Sequence, residues 1–285
     1  MSATAPPSNA SHANQSFYER HHFLLRRVHS LLGIAPIGVF LFPHLITNSS
    51  IVWGRFLSQP HSEYAFGEAQ RGVQMFQHEV NFIHALPALP LIEWGALFLP
   101  LLFHALIGVY FGLSGKPNVK AYPYGANWRY TLQRLSGYLG VFFIFAHITS
   151  LRYGWTYGGL MPAFVGDHAA STTADHFQNG LIGGLMVVVY IVCVSALVYH
   201  FANGLWTAAI TWGLTVTVEA QKRWGALCAL IGIGLGIAGL AAAIGFATLN
   251  IEAAESVETA MKATGGHGGG GEAAAIVEQN EMPEH

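Results

Sequence analysis

Residues Ala226–Leu249 read ALCALIGIGLGIAGLAAAIGFATL, twenty-four consecutive positions without an acidic, basic or imidazole side chain. At ~1.5 Å of rise per residue such a run spans the ~30 Å hydrocarbon core of a bilayer, and its glycines and alanines suit close contact between membrane helices. Working outward from it, four more stretches meet the same length requirement, at about Val28–Ser49, Leu89–Leu113, Thr131–Leu151 and Gly180–Trp206, the first run itself extending over about Trp224–Asn250. The composition agrees. Of 285 residues 52% are hydrophobic and 10% charged, with a mean hydropathy of +0.40, against about 25% charged residues in an average soluble domain. A net charge of −2 points to no nucleic-acid partner. The sequence therefore predicts an all-α fold, an integral membrane five-helix bundle, spanning residues 17–251 and embedded in lipid.

Both ends differ from this core. Residues 1–16, rich in Ala, Pro, Ser and Asn, lack the order of a signal peptide and read as a disordered tail. Residues 252–285 are rich in Gly and Glu, poor in bulky side chains, and read as a flexible tail. The two cysteines, Cys193 and Cys228, stand within apolar runs and form no haem-attachment or metal motif.

Basic residues near the span ends set the orientation. Arg20, Arg26, Arg27, Lys116, Lys120, Arg129, Arg134, Lys222 and Arg223 fall on the side of the N-terminus, whereas Arg55, Arg71, Arg152 and Lys262 fall on the other. Nine against four places the N-terminus inside and, after five spans, the C-terminus outside.

Histidine is the anomaly: its 15 copies outnumber the 13 lysines and arginines. Four of them, His44, His104, His147 and His200, stand alone in the first four spans, where ionisable groups are costly and usually mark a cofactor, ion or proton path. Because the spans alternate in direction, His44 and His147 come to the outer level, ~22 Å up from the inner face, while His104 and His200 come to the inner level. Two neutral imidazoles facing each other across a bundle suit a low-spin haem with both axial positions filled, and two such pairs suit two b-type haems between the first four helices. A set of interhelical hydrogen bonds serving a transporter or a proton channel with a histidine relay is the alternative from a different class.

A macrocycle between helices needs missing side chains, and Gly108 and Gly204 each follow an inner-level histidine by four residues, on the same helical face. Gly33, Gly38, Gly137 and Gly140 thin the first and third helices. Haem propionates seek cations or polar groups at the membrane edge, for which Arg27, His29, Arg134 and Ser136, with Gln133, stand at the inner level.

RRVHSLLGIAPIGVFLFPHLITN (26–48), LPLLFHALIGVY (99–110), LQRLSGYLGVFFIFAHI (132–148) and above all YHFANGLWTAAITWGLTV (199–216) resemble the cytochrome b membrane-anchor subunit of succinate dehydrogenase, in its dihaem, single-polypeptide, five-helix b558 type. The resemblance runs from about Phe17 to Asn250. It implies axial ligation of a distal haem by His44 and His147 and of a proximal haem by His104 and His200. It further implies a bacterial cytoplasmic membrane, and a flavoprotein subunit and an iron-sulfur subunit docked on the inner face, with electrons passing to a quinone, menaquinone in this type, near the distal haem. Quinone reduction consumes protons, and Glu93, His84 and Glu79 are the candidate donors on the outer side. Some dihaem fumarate reductases place a glutamate two residues before the fourth ligand; Val198 stands there in this chain, which favours the succinate-oxidising direction over fumarate reduction.

Overall fold

A computed structural model describes residues 17–57, 67–115 and 119–266. The tail expected over 1–16, and the last part of the tail expected over 252–285, lie outside the described residues. Among the described residues all regular structure is helical, and five helical stretches are long and apolar enough to cross a membrane: Arg20–Phe56, Leu89–Ser114, Asn127–Leu151, Gly183–Thr211 and Val218–Ala247. The chain is a multi-pass membrane protein.

The first span is two helices in near-continuous file, α1 (Phe17–Ile34) and α2 (Pro36–Trp53). Proline has no N–H and its ring crowds the preceding turn. The break accordingly falls at Ala35–Pro36, where Ala35 N still donates to Leu31 O at 2.8 Å. This span is longer at both ends than Val28–Ser49, because the basic, amphipathic stretch before Val28 keeps helical geometry at the membrane edge. The second span starts after Ala88, a left-handed residue with φ of 56°, as α4 (Leu89–Ile92). It widens to a π-helical segment over Glu93–Phe98 and continues as α5 (Leu99–Ser114). Pro100 cannot donate to the carbonyl one turn back, and the widened turn directly before it absorbs that loss.

The third and fourth spans are α6 (Gly125–Leu151) and α8 (Gly183–Thr211), and the fifth is α9 (Val218–Ala247). Large apolar side chains such as Phe142, Leu106 and Ile237 point outward, 77%, 62% and 65% exposed, as a lipid-facing surface requires. The small residues of α9 do what the sequence suggests. A methyl on Gly239 would meet Val194 Cγ1 of α8 at 2.5 Å, and one on Gly245 would meet Ile51 and Val52 of α2 at 2.7 Å. The fifth helix thus closes against α2 and α8 at backbone distance.

The connections on the side away from the N-terminus fold into a helical cap. It comprises α3 (Glu68–His84), a 3-10 turn at Gly166–His168 running into α7 (Ala169–Gln178), and α10 (Ile251–Gly266). Its core joins Val73 and Phe76 of α3, Ala170, Ala174 and Phe177 of α7, and Ala254, Val257 and Ala260 of α10 to Ile51 and Phe246 of the spans. This corrects the expectation of a flexible tail over the stretch 252–266. Three small apolar residues repeat there at helical spacing, a pattern hidden by the surrounding glutamates.

Polar contacts fix the docking. Glu258, 1% exposed, accepts from the Ala170 and Ser171 N–H groups at 2.6 and 3.2 Å and from the Ser171 hydroxyl, so α10 caps the N-terminus of α7 from across the fold. Gln77 Oε1 takes the Ala169 N–H at 2.9 Å, and Lys262 pairs with Asp167 at 2.7 Å, which holds the Asp167 carboxyl below its usual range. Burial pushes the Glu258 carboxyl up and the His176 imidazole down.

His176 gives the cap an acid limb. The unfolded imidazole protonates before the folded one, so its stabilisation is full above pH ~6.5 and is lost as the pH falls through the lowered value. Protection of the α7 amides from hydrogen exchange, relative to the intrinsic rate at each pH, should therefore fall between neutral and mildly acid pH. His176→Gln should flatten that limb, and an unchanged slope in the variant would assign it elsewhere.

Candidate functional site

Each of the first four spans contributes one histidine, and the fold brings them together in the two expected pairs. At the capped end, His44 of α2 and His147 of α6 have ring centroids 5.7 Å apart with planes at 89°. At the N-terminal end, His104 of α5 and His200 of α8 lie 6.1 Å apart at 83°. Two imidazoles on opposite sides of one iron, each with a metal–nitrogen bond of ~2 Å, have ring centroids roughly 6 Å apart. Both pairs fit that spacing. Among the described residues no cluster of three or more His, Cys, Asp or Glu side chains offers another metal centre.

The ring orientations are set from outside each pair. His104 Nδ1 lies 2.9 Å from the His29 carbonyl, and His200 Nδ1 lies 3.0 Å from the Gln133 carbonyl and 3.3 Å from Ser136 Oγ. A carbonyl only accepts, so Nδ1 carries the proton and Nε2 is left with the lone pair that a metal takes. Gln133 also donates from its amide to the His200 carbonyl at 3.1 Å and accepts from Asn203 at 2.8 Å, locking α6 to α8 beside the ligand. At the capped end His147 Nδ1 meets the Tyr190 hydroxyl at 3.1 Å. Phe40 and Phe143 stack on His44 and His147 at 5.1 and 5.6 Å.

The glycines sort differently from their spacing in sequence. The ones that make room for the paired histidines are Gly33 and Gly137, on the facing helices: an added Cβ would meet the His104 ring at 2.5 Å and the His200 ring at 3.1 Å. Gly108 instead accommodates the His29 ring, 2.9 Å from an added Cβ, and Gly204 faces the Gln133 amide at 3.7 Å. Gly33→Ala should accordingly displace the His104 ring, Gly137→Ala the His200 ring less so, while Gly184→Ala, which meets open space, should be silent. Thermal unfolding of the three variants tests that order.

At the N-terminal end, among the described residues, Arg27 Nε, His29 Nδ1, Ser30 Oγ, Arg134 Nε and Thr215 Oγ1 are buried without a hydrogen-bond partner. Of these residues His29 touches the His104 site, its ring stacking on His104 at 4.0 Å with planes 8° apart. Unmet donors cost about 1–3 kcal/mol each. Arg27, His29 and Arg134 are among the residues the sequence offers to an anionic group; Ser30 and Thr215 are not. The Arg27 guanidinium rests on Phe23 and Trp212 at 4.3 and 5.3 Å. Arg134 is partly engaged in structure, with Nη2 donating to Gly115 O at 2.8 Å, and Ser136 is 4% exposed with its hydroxyl turned to Leu132 O and His200.

The outer acids and histidines separate. Glu93, in the π-helical segment, forms a two-point ion pair with Arg152 at 2.7 and 3.0 Å. Glu79 lies 3.9 Å from His78, and His84 packs against Gly166. The contacts missed from sequence are those of Tyr190 with His147 and of Glu258 with Ser171, both joined across helices distant in the chain.

No family model matches the sequence. The chain is 34% identical over 224 residues to the protein described as the succinate dehydrogenase cytochrome b558 subunit of Bacillus subtilis (strain 168), an alignment covering 79% of this chain and 96% of that one.

Proposed function

Because the chain belongs to the family of succinate dehydrogenase cytochrome b558 subunits, we propose that it carries two b haems, one on His44 and His147 and one on His104 and His200, and conducts electrons between the dehydrogenase and menaquinone. The observation that carries this reading is the occurrence of exactly paired imidazoles at two levels, with centroids 5.7 and 6.1 Å apart. Residues 17–251 form the haem-bearing unit, and the membrane is the bacterial cytoplasmic membrane with the N-terminus inside.

Haem held by His44 with His147 and by His104 with His200 would supply one-electron transfer. The protein's part is to hold and orient. The carbonyls of His29 and Gln133 fix the ring tautomers of His104 and His200. Arg27, His29 and Ser30 offer unmet donors for a propionate at the N-terminal end. The lipid-facing apolar surface excludes water from both levels.

The flavoprotein and iron-sulfur subunits dock on the basic inner face, beside His104 and His200, and the chain anchors them. The quinone binds towards the capped end, where the Glu93–Arg152 pair is the nearest charged group on the second and third spans. The direction favoured is succinate oxidation, since the proton-carrying glutamate of some fumarate reductases is replaced by Val198.

Succinate added to the purified complex should reduce b haem, and a short-chain menaquinone analogue should then reoxidise it. A complex in which succinate reduces no haem contradicts the reading.

A further inference from the structure

Three of the paired histidines have Nδ1 within hydrogen-bond distance of a neighbour, and one neighbour is unlike the others. His104 and His200 face main-chain carbonyls at 2.9 and 3.0 Å, which no substitution removes, and Ser136 Oγ adds only a longer 3.3 Å contact to His200. His147 faces a side chain, the Tyr190 hydroxyl at 3.1 Å. Tyr190 belongs to α8, the helix that supplies His200 to the other level, and is held by rings on two sides. Phe143 of α6 lies 5.0 Å away at 82° and Phe177 of the cap helix α7 lies 4.6 Å away at 57°. Its own ring sits 5.8 Å from that of His147. The phenol is thus placed by packing, and its oxygen is the free variable.

We propose that Tyr190 is the positioning residue of the capped-end haem: its hydroxyl oxygen accepts the Nδ1–H of His147, fixes the ring against rotation and tunes the iron's electron affinity through the imidazole. This rests on the reading of His44 and His147 as axial ligands. When Nε2 is the ligating nitrogen, Nδ1 keeps the proton, and an acceptor there makes the ring a stronger electron donor, which favours the oxidised iron. Because Phe177 brings the cap helix against the same phenol, the packing that holds the oxygen also depends on the cap.

The test is a redox titration of the whole complex carrying Tyr190→Phe, which keeps the ring and deletes one oxygen. The oxidised form of one haem should lose roughly three- to tenfold in relative stability, an upward shift of ~30–60 mV at 59 mV per decade for a one-electron couple. The other haem should titrate as in the wild type, and both haems should be retained. The low-temperature EPR signal of the shifted haem should also change, since the His44–His147 interplanar angle of 89° is no longer restrained.

His147→Ala in parallel identifies which titration belongs to the capped-end haem. Two haems with unchanged potentials and EPR in Tyr190→Phe overturn the proposal and leave the haem assignment intact. Equal shifts in both haems also overturn it. Full haem content in His147→Ala overturns instead the reading on which the proposal stands. Should Tyr190→Phe fail to assemble, the wild-type complex labelled with 3-fluorotyrosine, whose phenol oxygen is a weaker acceptor, takes its place. An upward shift confined to the capped-end haem is expected there, and no shift overturns the proposal.

Discussion

His200→Ala is expected to reduce the haem content of the purified complex from two per chain to one and to abolish electron flow from succinate to quinone. The reason lies in how the site is built. Each pair is supplied by two different helices, so removing one imidazole leaves the iron with a single axial protein ligand and leaves the other ring, His104, facing a void across 6.1 Å. The His44–His147 pair stands at the opposite end of the bundle on other side chains and should be spared. Oxidation of succinate by a soluble electron acceptor, which needs only the flavoprotein, should persist wherever the subunits still assemble. His104→Ala should give the same spectrum, and His147→Ala the complementary one. Loss of both haems from every single variant would instead mean that the bundle collapses as a unit.

The second large effect is expected from Glu258→Ala. Its carboxylate is the common acceptor for two main-chain N–H groups and the Ser171 hydroxyl at the start of α7, in a site where the side chain is fully shielded from solvent. Alanine leaves these buried donors unmet at about 1–3 kcal/mol each and removes the charge that complements the helix terminus. A loss on the order of 3 kcal/mol for the docked cap follows. Limited proteolysis should then cleave within the α10 stretch while the haem spectrum is retained. Lys262→Ala breaks only the exposed pair with Asp167 and should cost at most about 1 kcal/mol. Equal protease resistance of Glu258→Ala and the wild type would remove Glu258 from the account of the cap.

The bundle was legible because membrane helices announce themselves by length and apolarity, and the pairing was legible because alternating directions turn sequence position into depth. His44 with His147 and His104 with His200 follow from that alone. What escaped was whatever depends on rotation about a helix axis. Gly108 and Gly204 share a face with their own histidines, yet an imidazole points away from its helix, so the glycines that matter to it, Gly33 and Gly137, sit on the helices opposite. Tyr190 is separated from His147 by the whole of α7 and could not be linked to it by spacing. The α10 helix was hidden for another reason: Ala254, Val257 and Ala260 are small and interleaved with glutamates, and the stabilising contact comes from a glutamate, a residue type almost never fully buried unless paired.

The most direct test of the account is a pyridine haemochrome assay on the purified complex, referred to the amount of this chain. Two b-type haems per chain are the result it predicts, and one or none would contradict the assignment of two bis-histidine sites.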